Sequence, residues 1–274
     1  MKESKFEKPK LEKEEEKMFN PDKDITDEDW KLMEQKLKDF RKEKDVESFA
    51  SLASDMKIIS SEKFSEKNIT VQDWNKMQQT MTDFARRIVE GKYWWEIHLS
   101  QNLFRQMASM KIINPEKFDE TRRSHLPEIE WSRTIERGLS HCREYQAWED
   151  FAEMASNLKI IWPTTLTAFP VDMKKWITED DKQKMINDKL EYCHKENKWG
   201  RFSSLAAKLR ILYPEKFSEL NVNETAWRGM RNSLKQCRKD EQKWRWSIGK
   251  LAADMKILAA EKVEVDEKEG LKVE

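Results

Sequence analysis

The chain has 274 residues, 38% of them charged and 38% apolar, with six Gly and seven Pro. Lys plus Arg and Asp plus Glu number 52 each, for a net charge of zero. A dedicated duplex-binding domain is as a rule strongly basic, so this balance argues against that class while leaving room for a local patch. No apolar run approaches the ~20 residues of a membrane span, and the first residues lack the apolar core of a secretory leader. Three Cys is an odd number for a disulfide framework. The expectation is a cytoplasmic, all-α protein without a membrane partner, since Lys, Glu, Met, Leu and Ala are good helix formers.

Residues 1–24 are a Lys/Glu-rich lead-in. Lys17, Asn20, Pro21 and Lys23 repeat the pattern of Lys111, Asn114, Pro115 and Lys117, so a remnant capping helix is expected over about Lys10 to Phe19. From residue 25 a longer pattern takes over and occurs five times. Thr26 is a helix N-cap with acids in the turn behind it. Ile25 before the cap and Trp30 at the fourth helical position form a hydrophobic staple. Trp30, Met33, Leu37 and Phe40 follow at spacings of 3, 4 and 3, one face of a helix. A second helix carries Phe49, Leu52, Ala53, Met56 and Ile59 and ends on Met56-Lys57-Ile58-Ile59.

That ending returns at Lys111, Lys159, Arg210 and Lys256. The staple returns at Ile69, Thr70 and Trp74 and at Val222, Asn223 and Trp227. Counting back from Ile186 puts Gln183 at the Trp position of the fourth copy. The base unit is 44 residues, and the copies span about 25–68, 69–124, 125–176, 177–221 and 222–263. A two-helix unit of this length resembles HEAT and armadillo repeats over roughly residues 25–262. One hairpin buries too few side chains to offset the ordering of its backbone, so the units must stack. The expected fold is a right-handed α-solenoid of five stacked antiparallel helical hairpins, followed by a mobile acidic tail, 264–274.

Candidate sites are weighed against packing. Cys142, Cys193 and Cys237 fall where Phe40 and Phe84 stand in other copies, so they read as core. His141 and His194 neighbour two of them, but adjacent helical residues do not face each other. The Lys57, Lys111, Lys159, Arg210 and Lys256 ladder is an anion stripe or, as favoured here, a set of cations at helix C-termini. The insertion in repeat 2 holds Arg86, Arg87, Tyr93 and Trp94, a composition typical of interface anchors. Repeat 5 carries a basic stripe, Arg228, Arg231, Lys235 and Arg238, in a stretch (226–250) with eight basic and two acidic residues. The linker 162–170 is expected to bend the stack.

No catalytic residue, metal ion or cofactor is expected. The resulting reading is a non-enzymatic protein–protein interaction scaffold with an unidentified protein partner. The alternative is a nucleic-acid-binding helical-repeat protein or, further off, a HEAT-like DNA glycosylase, which would need Trp, Asp and Arg over a basic groove. Here most Trp have core assignments.

Overall fold

The computed structural model describes residues 19–274 apart from 65–67, 91–95, 126–130, 164–176, 221, 240–244 and 267–269. After a single turn at Pro21–Asp24, helices α1 (Asp27–Glu43) and α2 (Val46–Ile59) form the first hairpin. The second is α3 (Val71–Glu90) and α4 (Glu96–Ile113), followed by an additional helix α5 (Pro115–His125). The third is α6 (Trp131–Glu144) and α7 (Trp148–Ile161). The fourth begins with α8, which runs Glu179–Lys184, passes through a π-helical stretch Met185–Leu190 and finishes Glu191–Lys195. It is completed by α9 (Trp199–Leu212) and a 3-10 segment, Pro214–Leu220. The fifth is α10 (Glu224–Lys239) and α11 (Arg245–Ala259). The expected all-helical class holds, with one addition at the C-terminus described below.

The two helices of a hairpin are buried differently. On α1 only one stripe is covered: Asp29, Trp30, Met33, Leu37 and Phe40. On α2 burial runs through consecutive positions, Phe49, Ala50, Leu52 to Met56 and Ile59, and so covers most of its circumference. A helix buried nearly all round needs neighbours nearly all round. Each second helix finds them in the second helices beside it. Helix α2 packs on α4, α4 on α7, α7 on α9 and α9 on α11; α11 then packs back on α2. An open stack would leave α2 and α11 apart; here the inner helices form a ring whose last member meets its first. At that seam Gly249 brings α11 against α2, since a Cβ there would come within 2.8 Å of Leu52 Cδ1. The first helices lie outside, each on its own partner and on the preceding second helix, with α1 resting on α11.

Three of the outer junctions share one ion pair. Arg41, in the last turn of α1, donates from Nε and Nη2 to the two oxygens of Asp73 at 2.8 and 2.7 Å. Arg143 does the same to Asp181 at 2.7 and 2.8 Å. Arg238 reaches from hairpin five to Asp29 of hairpin one, with Nη2 at 2.6 Å from Oδ2, and also donates to the Asp24 carbonyl at 2.5 Å. In each case the carboxylate is also the third helical residue of a capping arrangement. Asp29, Asp73 and Asp181 accept from the backbone N–H of Thr26, Thr70 and Thr178, whose hydroxyls accept in return from the Asp backbone. Where the Arg position is taken by His194, the matching Asp position of the next hairpin is Ala226, which is buried.

The fourth repeat corrects a register. Asp181 and Lys182 occupy the places of Asp29 and Trp30, so Gln183 is not the equivalent of the tryptophan. The π-helical stretch absorbs one extra residue, which lets both Met185 and Leu190 point into the core. π-bulges of this kind insert a residue without breaking a helix. The three described hairpin turns share a device the sequence hides. Lys44, Gln146 and Asn197 adopt positive φ of 61°, 53° and 55°. The next N–H in each case bonds back to the carbonyl of Phe40, Cys142 or Cys193 at 2.8–2.9 Å. That is the Schellman closure usually made by glycine.

The 264–274 tail is not the free segment expected. Strands β1 (Val263–Asp266) and β2 (Gly270–Val273) pair antiparallel with Val263 opposite Val273. The hairpin lies against α4, α7 and α9, burying Val263. The 10–18 part of the proposed capping helix lies outside the described residues; Phe19 is buried in the core.

Opening the seam should be the most damaging of the three ion-pair losses. Arg238→Ala leaves Asp29 buried without its partner, and the expected loss is about 2–3 kcal/mol, below the ~3–5 of a fully buried pair because Arg238 is partly solvated. Urea unfolding measures it. In the opposite direction, Gln146→Gly relieves a left-handed L-residue and should stabilise by ~0.5–1 kcal/mol, visible as a raised denaturation midpoint.

Candidate functional site: a charge network shared by the inner helices

The inner helices do not meet in a purely apolar interior. Glu153 on α7 accepts from Arg105 Nε of α4 at 2.6 Å and from Lys208 Nζ of α9 at 2.9 Å, so its two oxygens bridge both flanking helices. Arg105 Nη1 also donates to Asn102 at 3.3 Å. On α11, Lys250 Nζ donates to Asp254 Oδ1 at 2.7 Å. Asp55 on α2 is buried and interacts electrostatically with Lys250, Asp254 and Glu153. Every one of the five inner helices therefore contributes at least one charged side chain. Groups on α2, α11 and α7 sense one another although α7 is not the ring neighbour of α2, which places the network on the side of the helices turned towards the ring axis.

Burial is graded along the helices. The side chains of Arg105 and Lys250, about one turn nearer the helix N-termini, are 45% and 38% exposed. Asp254, one turn further on, is 2% exposed. Solvent thus reaches the network from one end and stops at Asp254 and Asp55.

The two central carboxyls are driven apart. Burial is the largest influence on Asp55. Lys250 opposes it, Asp254 and Glu153 reinforce it, and the pKa rises to about 7. Burial also pushes Glu153 upward, but Lys208 and Arg105 outweigh it and bring the pKa down to about 2. For Lys250 burial favours the neutral amine, yet Asp254 and Asp55 hold it charged, with a pKa above the ordinary lysine value. Asp55 is thereby set to exchange its proton near neutrality.

The residues singled out in the sequence lie elsewhere. Arg86 and Arg87 are exposed near the end of α3, Arg86 pairing with Asp83 at 3.3 Å. Tyr93 and Trp94 lie outside the described residues. The repeat-5 stripe is mostly engaged within the chain. Arg238 closes the ring on Asp29, Arg231 Nε stands 4.0 Å from Asp24, and Arg228 pairs with Glu224 at 2.5 Å. Lys235 is exposed. The stripe is thus a seam more than a free basic face.

The recurrent cation ladder serves the neighbouring helices. Lys159 Nζ donates to the Leu212 carbonyl at the end of α9 at 2.9 Å. Arg210 donates to the Leu258 carbonyl at the end of α11 at 2.5 Å, and to that of Ala260. Lys111 is buried and pairs with Asp119 of α5 at 2.9 Å. Lys159 and Arg210 are cations satisfying helix C-termini across hairpins, a variant of the end-of-helix reading, while Lys111 is held by a carboxylate. Cys142 and Cys193 are buried as expected, and burial pushes the Cys142 thiol up to about 11, far from thiolate chemistry. His194 stacks edge-on against Trp199 and Phe202; His141 stacks on Tyr145. Among the described residues no cluster of His, Cys, Asp and Glu is placed to hold a metal ion, and no helix is long and apolar enough to cross a membrane.

Reading the sequence by repeat position missed the network because Ser51, Arg105, Glu153, Ser204 and Lys250 occupy one position of the motif. A column without a common residue type looks like surface variation. The usable signal was polarity at that column on a helix otherwise apolar all round.

Comparison of the chain with protein-family models, with curated proteins and with solved structures gave no match.

The titration of Asp55 has a signed consequence. Its folded pKa lies above the unfolded value, so the native state holds the proton longer and stability falls as pH rises between about 4 and 7. Asp55→Asn should leave stability near pH 3.5 almost unchanged and raise it at pH 8 by roughly 2–4 kcal/mol. Denaturant melts of both proteins at the two pH values check this.

Proposed function

We propose that the chain is a non-enzymatic protein–protein interaction scaffold, built from HEAT-like hairpins that follow one another in the right-handed sense of an α-solenoid and act in the cytoplasm. The observation that favours protein over nucleic acid as the partner is the engagement of the basic stripe. Arg238 and Arg231 face acids of the first hairpin, and Arg228 faces Glu224. Phosphate contacts depend on cations free to displace counterions, and a stripe committed to intramolecular pairs offers few.

Exposed aromatic side chains supply anchors for a protein surface. Tyr145 is 66% exposed in the turn between α6 and α7. Tyr192 is 42% exposed in the last turn of α8, with Lys198 donating to its hydroxyl at 2.6 Å. Both stand towards the hairpin tips of adjacent repeats, where α7 packs on α9. Tyrosine is enriched among residues that dominate interface energetics, at about 2 kcal/mol or more apiece in the central positions.

The test is affinity capture with the full chain followed by direct titration of what is retained. Tyr145→Ser with Tyr192→Ser should lower the affinity of that partner at least ~30-fold, the equivalent of one central anchor. Retention unaffected by the double variant removes this surface from consideration. A shift of single- or double-stranded oligonucleotides at low salt that fades steeply with added salt would transfer the protein to the nucleic-acid class.

A further inference from the structure

The axial network is short of hydrogen-bond donors where it is deepest. Asp254 is 2% exposed, and while Oδ1 accepts from Lys250, Oδ2 has no hydrogen-bond partner. Asp55 is also buried, and no hydrogen bond to its carboxyl is made among the described residues. Buried carboxylate oxygens left unpaired are costly and are ordinarily satisfied by protein, water or ligand. The charged groups acting on Asp55 are Lys250 and Asp254 on α11 and Glu153 on α7, and Arg105 on α4 and Lys208 on α9 stand behind them on Glu153. Arg105 and Lys208 are committed to Glu153, and Lys250 to Asp254. None of these bonds supplies the missing donors to Asp55 or to Asp254 Oδ2.

We propose that the inner end of this network is a binding site for a small alkylammonium group, whose N–H donors fill the unpaired oxygens of Asp254 and Asp55. With all carboxyls ionised, Asp55, Asp254 and Glu153 balance Lys250, Lys208 and Arg105. The site accepts one further positive charge as the proton on Asp55, whose pKa stands at about 7. An ammonium takes the place of that proton and offers three donors where the proton offers one. Access runs from the end where the Lys250 and Arg105 side chains are exposed. Arg105, bonded to Glu153 through Nε, still has 45% of its side chain exposed, so a carboxylate carried on the same molecule has a cation to meet there, and simple amines and zwitterions of the amino-acid type share the required chemistry. This site is separate from the tyrosine-bearing surface proposed above, and either can fail without the other.

Calorimetric titration of the full chain at pH 8 with butylammonium, 5-aminopentanoate and tetramethylammonium tests it. Butylammonium and 5-aminopentanoate should bind saturably, whereas tetramethylammonium, with charge but no N–H, should not. Because the ligand competes with the proton on Asp55, affinity at pH 6 should be ~10-fold weaker than at pH 8. Asp55→Asn should weaken binding at pH 8 by at least ~10-fold, and Asp254→Asn should do the same. Tighter binding of 5-aminopentanoate than of butylammonium, lost in Arg105→Met, assigns a carboxylate to the entrance; equal binding leaves simple amines as the class. No saturable binding of either N–H donor overturns the proposal. So does an affinity unchanged between pH 6 and 8, which is read on the unaltered protein and stands even where a variant does not fold.

Discussion

Nearly all-round burial of the second helix in each hairpin is the constraint from which the architecture follows. A helix covered on one stripe is satisfied by a single partner. Helix α2 is covered from Phe49 to Ile59 and needs its own α1, the next helix α4 and something on the remaining side. In a linear array that side is exposed at the first unit and again at the last, and both ends require polar caps. Here α11 supplies the missing side of α2. The small residues Ala53, Ala155, Ala206 and Ala252, all buried, stand on four of the five inner helices opposite the charged column, on the side turned to the outer layer. Outside them, the Arg–Asp pairs fix the step from one hairpin to the next. The pair Arg238–Asp29 is the same step taken between the last hairpin and the first.

Much of this was legible in the sequence, and what escaped did so for identifiable reasons. The stripe of Trp30, Met33, Leu37 and Phe40 and the caps at Thr26, Thr70 and Asn223 are local, and local periodicity reports local structure well. Cys142 and Cys193 were recognisable as core from the Phe40 and Phe84 column, while Cys237 in the same column is only partly buried. Three features were invisible. The left-handed residues of the three described hairpin turns are Lys44, Gln146 and Asn197, none of them the glycine that normally flags such a turn. The extra residue in α8 changes the register without changing the composition. Closure of the ring depends on pairs more than 200 positions apart, Arg238 with Asp24 and Asp29, and a stripe of arginines reads as a basic face until its acids are seen opposite. The axial network combines these difficulties, being long-range, non-repeating in residue type and built from side chains that resemble surface.

The electrostatic design differs between periphery and axis. In the outer clamps each carboxylate is buried, which raises its pKa, but an Arg fork and a threonine cap outweigh that and hold Asp29, Asp73 and Asp181 below the usual range. These are committed ion pairs across the whole range in which proteins function. At the axis the same residue type is left under-supplied. Asp55 sits beside a lysine already bonded to another acid, and its proton is held to about pH 7. One chain thus uses aspartate both as a fixed structural anion and as a group whose charge is negotiable, and the difference is whether an arginine is aimed at it.

Closure also changes what kind of object the repeat array is. An open array can gain or lose a unit at its ends, because each unit's stability depends on its immediate neighbours alone. In a ring the number of units and the angle between them are tied together, so adding a sixth hairpin means re-cutting every interface, not lengthening a rod. The same loop of contacts makes the position of the chain's ends a matter of convention. Joining the region before Asp27 to the end of β2 and cutting at any hairpin turn would preserve the circular order of packing, so the fold belongs to the circle and not to the linear order in which the chain happens to write it.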